Sequence, residues 1–238
     1  MKARIKFRKY GAMRFIGHLD VMRFFQKVMR RAEIPIAFTG GFSPHMIMSF
    51  ANPLGIGLSS DGEYFDIELK EPIESKEAVR RMNEACVEGI EVISFKKIAD
   101  EKKMTGMTIL AAADYLTSIA AGQLPADWTK QLTSFYSQPE IWILKQTKRS
   151  EREVNIRPLI YRLEPQEDKI YMQVAAGSKE NVKPGLVMEA FLNFLQLSPK
   201  EFKFFHHRME MYADTGDGKE KKLVALEALG KDITQTYA

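Results

Sequence analysis

The chain has 238 residues, 45% of them hydrophobic, which is enough apolar material for one large domain or two small ones and excludes a disordered chain. Its single cysteine, Cys86, excludes an intramolecular disulfide and any cluster or zinc site built from several thiolates, and predicts a reducing, cytoplasmic setting. The formal charge of +4 is unevenly spread: the first 33 residues carry ten basic side chains against two acidic, a net of +8 that leaves −4 for the remainder. A basic face of this kind predicts a polyanionic partner, RNA being the usual one.

In chain order, "MKARIKFRKY" sets Ala3, Ile5 and Phe7 against Lys2, Arg4, Lys6 and Arg8, the alternation of a strand buried on one side, and has no apolar core segment of a signal peptide. After a glycine turn, His18 to Glu33 predicts a helix with Leu19, Met22, Phe25, Met29 and Ala32 on its apolar side, ended by Pro35. From Ile34 to Ser60 no Lys, Arg, Asp or Glu occurs. Pro35, Pro44, Pro53 and glycines at 40, 41, 55 and 57 break this run, which excludes a membrane span and predicts two short strands, "IPIAFTG" and "IMSFA", joined by glycine turns. "EYFDIEL" is a strand with Phe65, Ile67 and Leu69 facing together, "SKEAVRRMNEACVEG" a helix and "IEVISFKKI" a strand.

The order strand, helix, strand, strand, helix, strand is that of a ferredoxin-like unit (βαββαβ). A second copy follows: "ILAAADYLTSIA", helix "PADWTKQLTSFYSQ", strands "IWILKQTK", "VNIRPLIYRLE" and "KIYMQVAA", helix "KPGLVMEAFLNFLQL" and strand "EFKFFHHRMEMYA". The expected fold is therefore α+β, with ferredoxin-like halves over residues 1–99 and 107–213 and a hairpin return strand and frayed tail over 214–238.

Two basic rows compete as the polyanion surface. Lys2, Arg4, Lys6 and Arg8 would line the open face of a central strand, unless Asp66 and Glu68 on the neighbouring strand neutralise them. Arg23, Lys27, Arg30 and Arg31 lie along the helix away from its apolar side, with Arg14 in the turn before it. A plain solvated face is the competing reading of that row. His18 stands at the helix start, where it can meet an anion or cap the helix. In "TGGFSPHM", Gly40 and Gly41 let successive backbone N–H groups converge and Ser43 and His45 add donors, a loop able to hold a phosphate. An antiparallel return of the chain would bring that loop close to His18. Adjacent His206 and His207 point to opposite faces of a strand, and no metal motif or cofactor is expected.

From Phe7 to Leu69, with "HLD" and "GFSPH" as its most specific phrases, and again at "REVNIRPLIYRLE" and "NVKPGLVMEAFL", the chain resembles a bacterial domain-of-unknown-function family, the radical-SAM-linked family. Gly17 departs from the serine usual before His-Leu-Asp, and Met46 and Ile47 from the Pro and basic residue usual after Pro-His. That family is found fused to, or encoded beside, cobalamin-binding radical SAM proteins. The resemblance implies a radical SAM partner, while Cys86 alone cannot supply the three thiolates of its cluster. The expected function is a non-catalytic RNA-binding or substrate-presenting accessory protein, acting on tRNA or rRNA. One alternative is a metal-independent endoribonuclease of the CRISPR repeat-processing type, with His18 as base assisted by Tyr10 or a nearby Lys. Another is a module that binds a cofactor or protein and no nucleic acid.

Overall fold

The structure, a computed structural model, describes residues 1–146, 151–218 and 220–234. It is an α+β protein made of two compact units, residues 1–111 with those from Glu210 onward, and Ala112–Met209. The residues after 210 thus group with the first unit.

The first unit opens with β1 (Lys2–Lys9) and a 3₁₀ turn at Gly11–Phe15, and continues through α1 (His18–Arg31), β2 (Met48–Phe50), β3 (Ser59–Glu68), α2 (Ser75–Ala85), β4 (Ile90–Ile98) and the single turn α3 (Gly106–Ile109). β1 is central and antiparallel to both β3 and β4, with Ile5 opposite Phe65 on one side and Phe95 on the other. β2 pairs antiparallel with β3 at Ile67 and Phe65, giving the order β4-β1-β3-β2. "IPIAFTG" makes only isolated bridges, Ile36 to Leu69 and Phe38 to Met46, because Pro35 and the glycines interrupt a ladder there.

The odd-numbered side chains of β1 face α1 and α2. Phe7, Phe25, Phe50 and Phe65 form the centre of this core, with the ring of Phe25 4.7 Å from Phe7 and 4.6 Å from Phe65. α1 buries Val21, Phe25, Val28 and Met29, whereas Leu19, expected in this core, is exposed. At about 100° per residue, Leu19 falls opposite the Val21–Phe25–Val28–Met29 sector, so the i, i+4, i+7, i+8 spacing selects Val21 in its place. α2 contributes Ala78 and Met82, and the Asn83 amide both donates to and accepts from the Val92 backbone at 2.9 and 2.7 Å, tying the helix to β4.

The other face of β1 is not open. Arg4 is buried there, donating to Asp66 at 2.8 and 3.0 Å and to the carbonyls of Met104 and Leu226. The covering segments are the turn around Met104 and a 3₁₀ turn at Leu226–Leu229, and Gly106 N–H also donates to Asp66 at 2.7 Å.

The second unit runs β5 (Leu110–Ala121), α4 (Trp128–Tyr136), β6 (Trp142–Gln146), β7 (Glu151–Asn155), β8 (Ile160–Gln166), β9 (Lys169–Ala175), α5 (Pro184–Phe194) and β10 (Lys203–Asp214), whose residues from Glu210 belong to the first unit. Its sheet order is β10-β5-β9-β8, and α4 and α5 meet through Phe135 and Phe191, 5.4 Å apart. The single strand expected from "VNIRPLIYRLE" is two. β7 pairs with β6 as a separate two-stranded sheet, and a 3₁₀ turn at Arg157–Leu159 precedes β8, since Pro158 has no N–H to give to a ladder. The end of "IWILKQTK" lies outside the described residues. Beyond β10, β11 (Leu223–Ala225) returns antiparallel to Tyr212–Asp214. β12 (Lys231–Asp232) then pairs with β4, so the segment expected to fray is held at least that far.

Candidate nucleic-acid interface

On α1 the outward face is built by periodicity. Leu19, Arg23, Lys27 and Arg30 fall within an ~80° sector, the reverse of the buried one. All four are exposed. Arg23 approaches Asp20 at 3.7 Å in a solvent-exposed pair, a contact worth little. Lys27 and Arg30 make no hydrogen bond or ion pair among the described residues. Arg31 is exposed and lines a groove with Arg81, Glu84 and Cys86, where burial pushes the Cys86 thiol up to about 11.

The row on β1 behaves differently. Its side-chain exposures rise from 2% at Arg4 through 15% at Lys6 to 43% at Arg8. Each is paired: Arg4 with Asp66, Lys6 with Glu210 and Glu227 at 2.8 and 3.0 Å, and Arg8 with Asp61 at 2.7 Å and Glu91 at 3.5 Å. Burial lowers the Lys6 pKa, and its bonds to Glu210 and Glu227 outweigh this and hold it above the usual lysine value. Tyr64 donates to Glu210 at 2.6 Å, and its phenol is pushed far up by burial and that carboxylate. The neutralisation expected from Asp66 is present, and further carboxylates from other strands and from the Leu226–Leu229 turn complete it.

α1 begins at Gly17, whose backbone caps the helix without a side-chain bond. The imidazole of His18 stands edge-on to Phe50 at 5.1 Å, and burial holds its pKa below the usual histidine value. Tyr10 is exposed, its N–H donates to the Gly89 carbonyl, and no hydrogen bond joins it to His18 among the described residues. The structure therefore gives His18 and Tyr10 no direct link, whereas Lys9 lines a small cavity together with His18. Arg14 lies with its guanidinium 4.7 Å from the Phe15 ring, and its carbonyl accepts from Gly57 N–H at 2.8 Å and from Lys9 Nζ at 3.3 Å.

Lys9 and Glu63 are ionisable groups that the sequence reading passed over. Both are buried, and with His18, Phe50 and Pro53 they line a cavity of about 10 Å³, room for roughly one water. Lys9 Nζ also donates to the Ile16 carbonyl at 3.0 Å and so fixes the turn ahead of α1. Strand parity was the available signal: Lys9 shares its face with Ala3, Ile5 and Phe7, and Glu63 with Phe65 and Ile67, where an ionisable residue is out of place.

The Gly40–His45 loop is closed at its base. Thr39 N–H donates to the His45 carbonyl at 2.9 Å, His45 N–H donates to Thr39 Oγ1 at 3.1 Å, and His45 Nδ1 meets the same hydroxyl at 3.1 Å. Gly41 takes φ +96°, a conformation suited to glycine. Gly40, Gly41, Ser43 and His45 are exposed, but the tip presents the fully exposed Phe42, and the His45 N–H and Nδ1 turn toward Thr39. The loop lies beyond the Phe38–Met46 bridge, whereas His18 sits on Phe50, four residues or about 13 Å further along extended chain. The structure does not bring His18 and the loop together. It aligns Arg23, Lys27 and Arg30 on one exposed face of α1, while His18 turns its ring toward Phe50 on the other side of the helix.

A family model described as "Uncharacterized protein conserved in bacteria (DUF2344)" matches residues 2–184. The chain belongs to this bacterial family. The matched residues include all of α1, both ends of the glycine loop and the second unit as far as the start of α5. Among solved structures, one similar chain is that of the "Crystal Structure of a Cbf5-Nop10-Gar1 Complex", at 13% identity and a TM-score of 0.48, covering 88% of this chain and 48% of that one. This family member thus spans about half the length of that chain. No curated protein matches it. Among the described residues no group of three His, Cys, Asp or Glu is placed to hold a metal ion, and no helix is long and apolar enough to cross a membrane.

Proposed function

We propose that this protein is a non-catalytic RNA-binding accessory protein that uses the outward face of α1 to hold the phosphate backbone. The observation that carries the proposal is the contrast between the two basic rows: Lys27 and Arg30 stand exposed without a partner among the described residues, and Arg23 has only a weak one. Long cations held in this way are suited to phosphates, which release counterions when neutralised. The radical SAM partner implied by the family resemblance belongs to this proposal, with the chain presenting tRNA or rRNA to that enzyme. So does the ferredoxin-like reading of each half, supported by the orders β4-β1-β3-β2 and β10-β5-β9-β8.

The test is a titration of a labelled RNA at several salt concentrations, with the wild type and Arg23→Glu/Lys27→Glu. The variant is expected to bind much more weakly, and the slope of log K against log salt to fall by about two phosphate contacts, roughly 1.4 for a single strand. Equal affinities and equal slopes would reduce the row to a solvated face and overturn the reading.

A further inference from the structure

The cationic stripe of α1 begins with an apolar residue. Leu19 occupies the turn before Arg23 and is 59% exposed, as is Phe15 in the preceding turn, while Ile56 in the loop after β2 is 68% exposed. Three separate segments supply these side chains. Gly57 N–H donates to the Arg14 carbonyl, tying the loop to the turn, and Ile56 Cδ1 lies 3.8 Å from where a Cβ on Gly17 would stand. The Arg14 guanidinium lies over a face of the Phe15 ring, 4.7 Å from its centroid. One acid opposes it: Asp20, whose carboxylate stands 3.9 Å from the same Gly17 position and pairs with Arg23.

Resting on the RNA reading above, we propose that Phe15, Leu19 and Ile56 form a platform for unstacked bases, so that the RNA held by the α1 cations is single-stranded. Phosphate contacts alone give no reason for three exposed apolar side chains at the head of the stripe. A duplex keeps its bases stacked inside and offers phosphates and 2′-hydroxyls, to which such a platform contributes nothing. A single strand offers π-faces, and proteins that bind it combine a cationic track with aromatic side chains for stacking, the role open to Phe15, with Leu19 and Ile56 as apolar surface beside it. Removal of the opposing charge in Asp20→Asn is expected to tighten binding.

The experiment measures the full chain against a labelled single strand of about 12 nucleotides and the same sequence as a duplex. The wild type is expected to prefer the single strand. Phe15→Ala should weaken that binding by roughly 5- to 100-fold with the salt slope and duplex binding unchanged, and Phe15→Trp should retain it. Thermal melting checks that each variant folds, and the tryptophan variant keeps the test decisive if the alanine variant does not. Equal affinity for single strand and duplex, or no loss in Phe15→Ala while Arg23→Glu/Lys27→Glu still weakens binding, overturns the platform, leaves the phosphate reading intact and points to a protein partner for the apolar patch. Failure of the wild type to bind either RNA overturns both.

Discussion

The first unit carries two rows of long cations of nearly the same composition, Arg4–Lys6–Arg8 on β1 and Arg23–Lys27–Arg30 on α1, and they meet opposite fates. A central strand has neighbours on both edges and segments across its face, so Asp66, Glu210, Glu227, Asp61 and Glu91 arrive from elsewhere in the chain to pair its cations. A helix lying on a sheet turns one face to the core and keeps the other for solvent, and the ion pair found on that side of α1 among the described residues is the weak one from its own Asp20. Cations that are filled by the fold stabilise it, and cations left over are available to a ligand. The difference comes from topology rather than from residue type.

The largest effect is expected at the buried end of β1, where Asp66 holds Arg4. Asp66→Ala would leave Arg4 in an almost fully buried position without its bidentate carboxylate and would orphan Gly106 N–H. The expected cost is about 3 to 5 kcal/mol in urea unfolding, because an uncompensated buried charge remains. A loss below about 1 kcal/mol would mean that water reaches Arg4 and that β1 is as open as α1.

Buried titratable groups should carry the pH dependence. Burial depresses His206 to about 4, while its Nδ1 meets the Thr117 hydroxyl at 2.9 Å. Between the unfolded value near 6.5 and this folded value the unfolded chain binds the extra proton, so stability falls as pH is lowered through that window and levels off below it. The wild type is expected to lose up to about 3 kcal/mol between pH 6.5 and 4 from this group, and His206→Gln to lack that component. Denaturation midpoints across pH check it, and identical profiles would contradict the buried neutral imidazole.

Lys6 gives a smaller effect. Burial works to raise the pKa of Glu227, but its bonds to Lys6 and Ser94 hold it below the usual carboxylate value. Its contribution is present above the unfolded pKa and lost as pH falls below it. Lys6→Met is expected to remove this acid-side component, about 1 kcal/mol or less after solvent screening, which fluorescence-monitored unfolding at pH 7 and pH 4 would resolve. An unchanged pH dependence would separate Glu227 from Lys6.

Much of the fold was legible because period and punctuation agree: the two-residue alternation of β1 and β3, the helix before Pro35, and the strand-helix order of both halves. What was not legible depended on distant residues. Leu19 and Val21 are both apolar, and only the full set of buried positions along α1 decides between them. "VNIRPLIYRLE" reads as one strand unless Pro158 is weighed as an interruption. At the site, the α1 cations could be read from the helix period, but the cover over β1 comes from Leu226–Leu229, more than 200 positions away from Arg4 in sequence. The separation of the glycine loop from His18 likewise followed from the Phe38–Met46 bridge and the packing of His18 on Phe50, which no local pattern encodes.

The smallest expected effect is the one that completes the comparison. Arg23→Glu/Lys27→Glu reverses two charges on the exposed side of α1, away from Val21, Phe25, Val28 and Met29. It removes one weak contact to Asp20 and no buried bond. Exposed pairs of this kind contribute about 0.2 to 1 kcal/mol, and a glutamate at 23 or 27 is nearly as good a helix former as the cation it replaces. Folding stability is therefore expected to change by no more than about 1 kcal/mol, like charge among Asp20 and the two introduced glutamates included, measured as a urea midpoint at constant slope. If the double variant instead loses several kcal/mol, the stripe is structural after all, held by interactions like those on β1, and any loss of RNA binding in that variant would then reflect unfolding. A near-neutral result, beside a large loss for Asp66→Ala, would separate the cations that build this fold from those it leaves exposed.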